Sequence, residues 1–352
     1  MNSGQKAAGE VAFTRYLGTF PRVQNERWAL VGQDGGQSID LGEATLFVFA
    51  DTLLALGQPA GKGRRPPFAF GRDEQHYFMA NCAAVTSGNG LRGALAEQRY
   101  YAEGEAEMPS QILEPTAEEQ AAAIRFWPAH GILTDGRVYL YYLGIQQGQS
   151  ESMWDFRNLG VGLATVDPAT GACQRLRQAG EWRFWQTAGD DLHVGVQALR
   201  QGDELFVFGS LRHGLTLEAI LGRVALAQIG DPAAYRFFRP ESGDWVADLG
   251  AAGGLGPCGS DYSVSYNAHL GRYLMIYLDS FDKTLWLRTA EAIWGPYSRP
   301  RRIGRVPHQP NSDLVYLAFE HPQFAADGGR RVYVSYCQPY FAAIGLVEIG
   351  FA

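Results

Sequence analysis

One unit recurs along this chain and restricts its fold more than any other feature: a turn, usually with glycine, followed by four or five aromatic and aliphatic residues. It stands at residues 46–50 (LFVFA) and at 138–142 (VYLYY) after Asp135 and Gly136. It returns at 205–208 (LFVF) after Gln201 and Gly202, at 273–277 (YLMIY) after Leu270 and Gly271, and at 332–336 (VYVSY) after Asp327 and Gly328. Runs of this kind are hairpin signals, because β-branched and aromatic side chains fit a pleated surface and glycine supplies the positive φ of a tight turn. A second strand follows each, at 79–85, 161–166, 220–226, 285–289 and 344–349, and aromatic outer strands follow some, at 99–101, 182–185 and 235–238.

Four antiparallel strands per unit and five units predict an all-β, five-bladed β-propeller with four-stranded blades. The chain is expected to form a single domain over 1–352, with blades at roughly 34–101, 126–185, 193–238, 261–305 and 314–349. The fifth unit runs out of chain after its third strand, so an N-terminal strand closes the ring, from 13–17 or from 28–31. A bent pair of β-sandwiches is the alternative, and a short helix is expected over 117–124.

The net charge of −7 argues against nucleic acid, which needs a basic face to neutralise phosphates. The one basic cluster, Lys62, Arg64 and Arg65, reads as a solvated loop. Cys82, Cys173, Cys258 and Cys337 are far apart, without metal-ligand spacing, and are expected to be mostly buried free thiols. Residues 1–20 hold no apolar stretch fit for a signal peptide or membrane span, so the chain is either cytoplasmic or relieved of a leader.

Strand register places the polar residues. With the first turn near Gly42 and Glu43, Asp34 at the start of one strand falls about opposite Asp51 at the end of the next. The fourth unit repeats the pattern with Asp261 and Asp279, around a turn near His269. Trp127 and His130 are expected near the start of the second innermost strand, His193 near the start of the third and His321 on the fifth, within residues 320–322; all but His130 should approach one mouth of the axis. Gly35 and Gly36 would let a substrate approach the backbone beside Asp34. Residues 52–76, and Met153, Trp154 and Phe156, are candidate rim segments. An aspartate at a strand end is commonly a turn cap, and a strand-start histidine commonly bonds backbone. Two facing carboxylates are less ordinary: one can hold its proton while the other stays ionised, as glycosidic bond cleavage requires. No nucleophile elbow, phosphate loop or dinucleotide fingerprint competes.

Seven short segments together resemble a known family: residues 34–39 (DGGQSI) with 49–52 (FADT), 263–267 (SVSYN) with 270–273 (LGRY), 294–297 (WGPY), and His321 and Pro322 with 334–336 (VSY). The chain is similar over nearly its whole length to bacterial five-bladed propellers first catalogued as a domain of unknown function. Some members are endo-acting D-arabinofuranosidases that cut mycobacterial cell-wall arabinan. The resemblance implies that Asp34 and Asp51 are the catalytic carboxylates, and it suggests an extracytoplasmic location. The expectation is a glycoside hydrolase on a furanose-containing polysaccharide or oligosaccharide, with Asp34 as base or nucleophile and Asp51 as acid. Gly35, Trp127, His193, Asp261, Tyr262, Asp279 and His321 are the expected substrate-binding residues. No organic cofactor is implied; an axial cation facing Asp34 and Asp261 is left open, as are a non-catalytic binding propeller and a glycan phosphorylase.

Overall fold

The computed structural model describes residues 10–57, 71–87, 90–103, 107–150, 155–186, 192–214, 216–308, 315–338 and 343–352. The described chain is nearly all β, and its strands form five antiparallel blades of a propeller. In the first blade, innermost strand Trp28–Asp40 pairs with Thr45–Leu56, which pairs in turn with Cys82–Thr86 and, beyond it, with His76–Met79. The second runs from Ile124–Thr134 through Arg137–Gln147 and Phe156–Val166 to Cys173–Arg175 and Arg183–Gln186. Leu192–Gln201, Glu204–His213, Thr216–Ala225, Arg236–Arg239 and Asp244–Val246 make the third, and Tyr262–Asn267, Arg272–Asp279, Thr284–Ala290 and Arg301–Arg305 the fourth.

The fifth blade closes the ring. Tyr316–Glu320, Arg331–Cys337 and Ile344–Phe351 come from the C-terminal end, and N-terminal strand Val11–Thr19 adds the fourth. Of the two expected closures, 13–17 lies in this strand, whereas 28–31 begins the first blade's innermost strand.

The core explains why the second strand of every blade is so apolar. Its two faces are both buried, each against a different neighbouring blade, so period-two alternation divides one run between two cores. Leu46 and Val48 enter the cluster shared with the second blade, while Phe47 and Phe49 enter the one shared with the fifth. Leu205 and Val207 turn to the second blade, Phe206 and Phe208 to the fourth. Leu274 and Ile276 meet Val332, Val334 and Tyr336 between the fourth and fifth.

Three local expectations are corrected. The strand expected over 79–85 is interrupted at Ala80 and Asn81, because the buried Asn81 amide leaves the ladder to bind Ile112, Leu113 and Phe126 backbone. The helix expected over 117–124 is Ala117–Ala121, started by a Thr116–Glu119 capping box, after which Ile124 begins a strand. All four cysteines are free, but only Cys82 and Cys337 are fully buried, while Cys173 and Cys258 are partly exposed. Lys62, Arg64, Arg65, Met153 and Trp154 lie outside the described residues, as does most of the expected rim at 52–76.

Candidate active site

Each blade sends a residue to one mouth of the axis, from the start of its innermost strand or just before it in four blades and from the middle of the long strand Trp28–Asp40 in the first. Asp34, Trp127, His193, Asp261 and Tyr316, one from each blade, line a common cavity of 290 Å³. Arg212, Asn158, Ser210 and Phe156 complete its wall.

Asp34 and Asp51 come together through an irregular patch of ladder. Gln33 pairs with Thr52 and Gly35 with Phe49, so Asp34 on one strand faces Ala50 and Asp51 on the other without a regular partner. A second bulge of opposite sense follows at Gly36 and restores the register. Gly35 makes the patch possible: its φ is 83°, and a Cβ there would stand 2.9 Å from the Ala50 backbone nitrogen. Gly35 lines the cavity, but Gly36 is packed against Ile344 and Phe20 rather than open to a substrate.

The two carboxyl groups have different surroundings. Burial, and then the charge of Asp51, pushes Asp34 well above the usual carboxylate range; the Tyr316 hydroxyl and the facing Asp51 backbone N–H oppose this. Tyr316 donates to Asp34 Oδ2 at 3.0 Å, while Oδ1 is buried without a hydrogen-bond partner. Burial raises Asp51 to about 6, held there by the opposing Arg125 charge and the Trp127 indole. Trp127 Nε1 donates to Asp51 Oδ1 at 2.7 Å, and the Arg125 guanidinium lies over the Trp127 ring at 5.2 Å. Asp51 therefore ionises as pH rises through about 6, while burial and the Asp51 charge hold the proton on Asp34 more tightly.

Across the cavity, His193 Nδ1 stands 4.0 Å from Asp261 Oδ1. Burial pulls the imidazole below its ordinary range with Asp261 opposing, and pushes Asp261 upward with His193 opposing. His193 Nε2 is buried without a hydrogen-bond partner.

Three expected binding residues are placed elsewhere. Tyr262 is fully buried between the third and fourth blades, its hydroxyl donating to the Gly209 carbonyl at 2.6 Å, because strand alternation turns it into the core. Asp279 is exposed and caps its own turn, accepting from the Phe281 and Asp282 amides at 3.1 and 2.9 Å. It is also one residue out of register with Asp261, since Tyr262 pairs with Tyr277. His321 follows the end of its strand rather than beginning it; it is fully buried among Phe20, Phe47 and Phe324, bonded to Ser38 at 2.7 Å. Burial and nearby His130 pull it down to about 3. His130 bonds Gln197 and the Ala198 amide in the same axial interior.

Sequence reasoning missed Tyr316, Arg125 and Arg212. Tyr316 occupies in the fifth blade the strand-start place that Trp127 and His193 hold in theirs, and applying the same strand-start rule to that blade, bounded from 314, would have found it. Arg125 sits two residues before Trp127, on the same face of the strand, and that spacing was a usable signal. Arg125 also lines a wider recess of 620 Å³ with Tyr77, Phe78, Gln111, Glu114 and Gln147. Among the described residues no group of three or more His, Cys, Asp or Glu side chains gathers as a metal ion would need, and no helix is long and apolar enough to cross a membrane.

A ring of five antiparallel blades with a polar cavity at one mouth defines a five-bladed β-propeller with an axial site. The chain belongs to the DUF4185 family, a domain of unknown function, whose model matches residues 21–342. That match bears out the resemblance to a propeller family of unknown-function origin. No curated protein matches in sequence. Among solved structures, a "putative hydrolase" from Bacteroides ovatus is similar with a TM-score of 0.64 at 14 % identity, covering 93 % of this chain and 87 % of that one. A family 117 glycoside hydrolase from Zobellia galactanivorans is similar with a TM-score of 0.50 at 11 % identity, covering 96 % and 90 %. At these identities the likeness shows the shared fold.

Proposed function

We propose that this protein is a glycoside hydrolase that cleaves a furanose-containing polysaccharide, with Asp34 and Asp51 as its catalytic carboxylates. The observation that carries the reading is the pair itself: two neighbouring carboxyl groups at the axial mouth, both raised by burial but held in different surroundings. Separated proton affinities are what acid–base cleavage of a glycosidic bond needs. The environments favour Asp34 as the general acid and Asp51 as the base, the reverse of the assignment expected from sequence. Trp127 holds Asp51 in place and, with Phe156, offers an apolar wall for a sugar face. The separate 620 Å³ recess lined by Arg125 is a candidate place for further sugar residues. The structural likeness to a family 117 glycoside hydrolase agrees with the reaction class, and D-arabinan is the substrate that the family resemblance names.

The test is reducing-sugar release from a panel of D- and L-arabinans and acidic furanose-containing glycans, by the wild type and by Asp34→Asn and Asp51→Asn. Release that falls by about 10²-fold or more in both folded variants is the expected result. Release unaffected by either substitution, or none from any substrate, overturns the reading and leaves a binding propeller.

A further inference from the structure

The lining of the cavity also carries a cationic side chain. Arg212, near the end of the third blade's second strand, lines it, and among the described residues its guanidinium has no hydrogen bond or ion pair. The acidic groups described at the site have other neighbours: Asp51 faces Arg125, Asp261 faces His193, and Asp34 accepts from the Tyr316 hydroxyl. A guanidinium with five fixed donors is the residue type suited to planar oxyanions, and here those donors have no acceptor among the described residues. His193, only 9 % exposed, lines the same cavity, and among the described residues its buried Nε2 has no hydrogen-bond partner, so it is free to donate to a ligand in the tautomer or charge state that carries a proton there.

We propose that Arg212 and His193 form an oxyanion subsite, so that the sugar seated in the cavity bears an anionic group such as a carboxylate. This rests on the glycoside hydrolase reading and narrows it: an acidic furanose-containing glycan fits the site better than neutral arabinan. Inorganic phosphate shares the same chemistry and is the other source of such an anion. Arg212 is a binding residue here, on the third blade, and the proposed bond-breaking groups belong to the first.

Binding separates this proposal from turnover. Calorimetry and saturation-transfer NMR would be run with D-glucuronate, D-glucose and inorganic phosphate on the wild type, Arg212→Gln, Arg212→Lys and the inactive Asp34→Asn. The expected result is glucuronate binding to the wild type and Asp34→Asn, weakened about tenfold or more in Arg212→Gln and less in Arg212→Lys, with glucose much weaker throughout. Arg212-dependent binding of phosphate but not glucuronate would keep the subsite and assign its anion to free phosphate. Equal binding of glucuronate and glucose, anion binding unchanged in Arg212→Gln, or no anion binding by the wild type would overturn it. Arg212-dependent anion binding without hydrolysis of any glycan would sink the hydrolase reading and leave the subsite standing.

Discussion

At the scale of single residues the site is a set of side chains kept in unfavourable places. Asp51 ionises in a buried position where its carboxyl is raised from about 3.8 to about 6, so ionising it at neutral pH costs folding free energy. The sign follows from linkage: this group's contribution to stability is fully present below its unfolded value and is lost as pH rises through about 6. Asn mimics the protonated form and still accepts from Trp127. Asp51→Asn should therefore be more stable than the wild type at pH 8, by about 1–3 kcal/mol, with the gap closing towards pH 4; thermal melts across that range decide it. Activity, on the proposed roles, should rise through about 6 as Asp51 ionises and fall where the higher-lying Asp34 loses its proton. Trp127→Phe removes a donor that lowers Asp51, so its acid limb should move to higher pH. An unmoved limb in a pH–rate profile would mean that Asp51 is not the group titrating there.

At the scale of elements the decisive feature is the broken ladder between Trp28–Asp40 and Thr45–Leu56. A regular hairpin would put Asp34 opposite Asp51 by simple counting, and would also commit both backbones to pairing. The two bulges leave the count intact while freeing the patch. Gly35→Ala meets both a positive φ and a backbone nitrogen 2.9 Å away, so the strand must shift. A loss of about 1–3 kcal/mol in stability and a loss of activity larger than unfolding accounts for are expected, read by denaturant melts beside turnover of the folded fraction. Strand starts and strand ends tell the same lesson. Counting His321 into the fifth blade's innermost strand, which ends at Glu320, moved a core histidine to the mouth, while Tyr316 at the strand's start was not singled out.

At the scale of the whole molecule, ring closure joins the two ends of the chain. Val11–Thr19 pairs with Ile344–Phe351, and without it that fully buried strand becomes an open edge. Removing residues 1–19 should lower the melting temperature and promote aggregation, checked by calorimetry and light scattering. An unchanged melt would show that the ring holds without its fourth closing strand. Burial of each large apolar side chain contributes about 1.5–3 kcal/mol. Because the blades share five interblade cores, a loss at the closure is felt at both of its neighbours.

The number of blades, the strand order, the N-terminal closure and the nearness of Asp34 to Asp51 were all legible in the sequence. They rest on short-range quantities: turn residues, period-two runs and the count of residues between a turn and its flanking strands. Alternation itself also placed Tyr262 in the core, although its neighbour Asp261 drew it into the expected site. What only the tertiary structure decided depends on neighbours from other blades. It placed Tyr316 against Asp34, Arg125 against Asp51, and His193 against Asp261, contacts between residues separated by up to 282 positions along the chain. Proton affinity and uncompensated charge are properties of such an assembled cavity, because burial and opposing charges come from all five blades at once. No strand of this protein carries them alone.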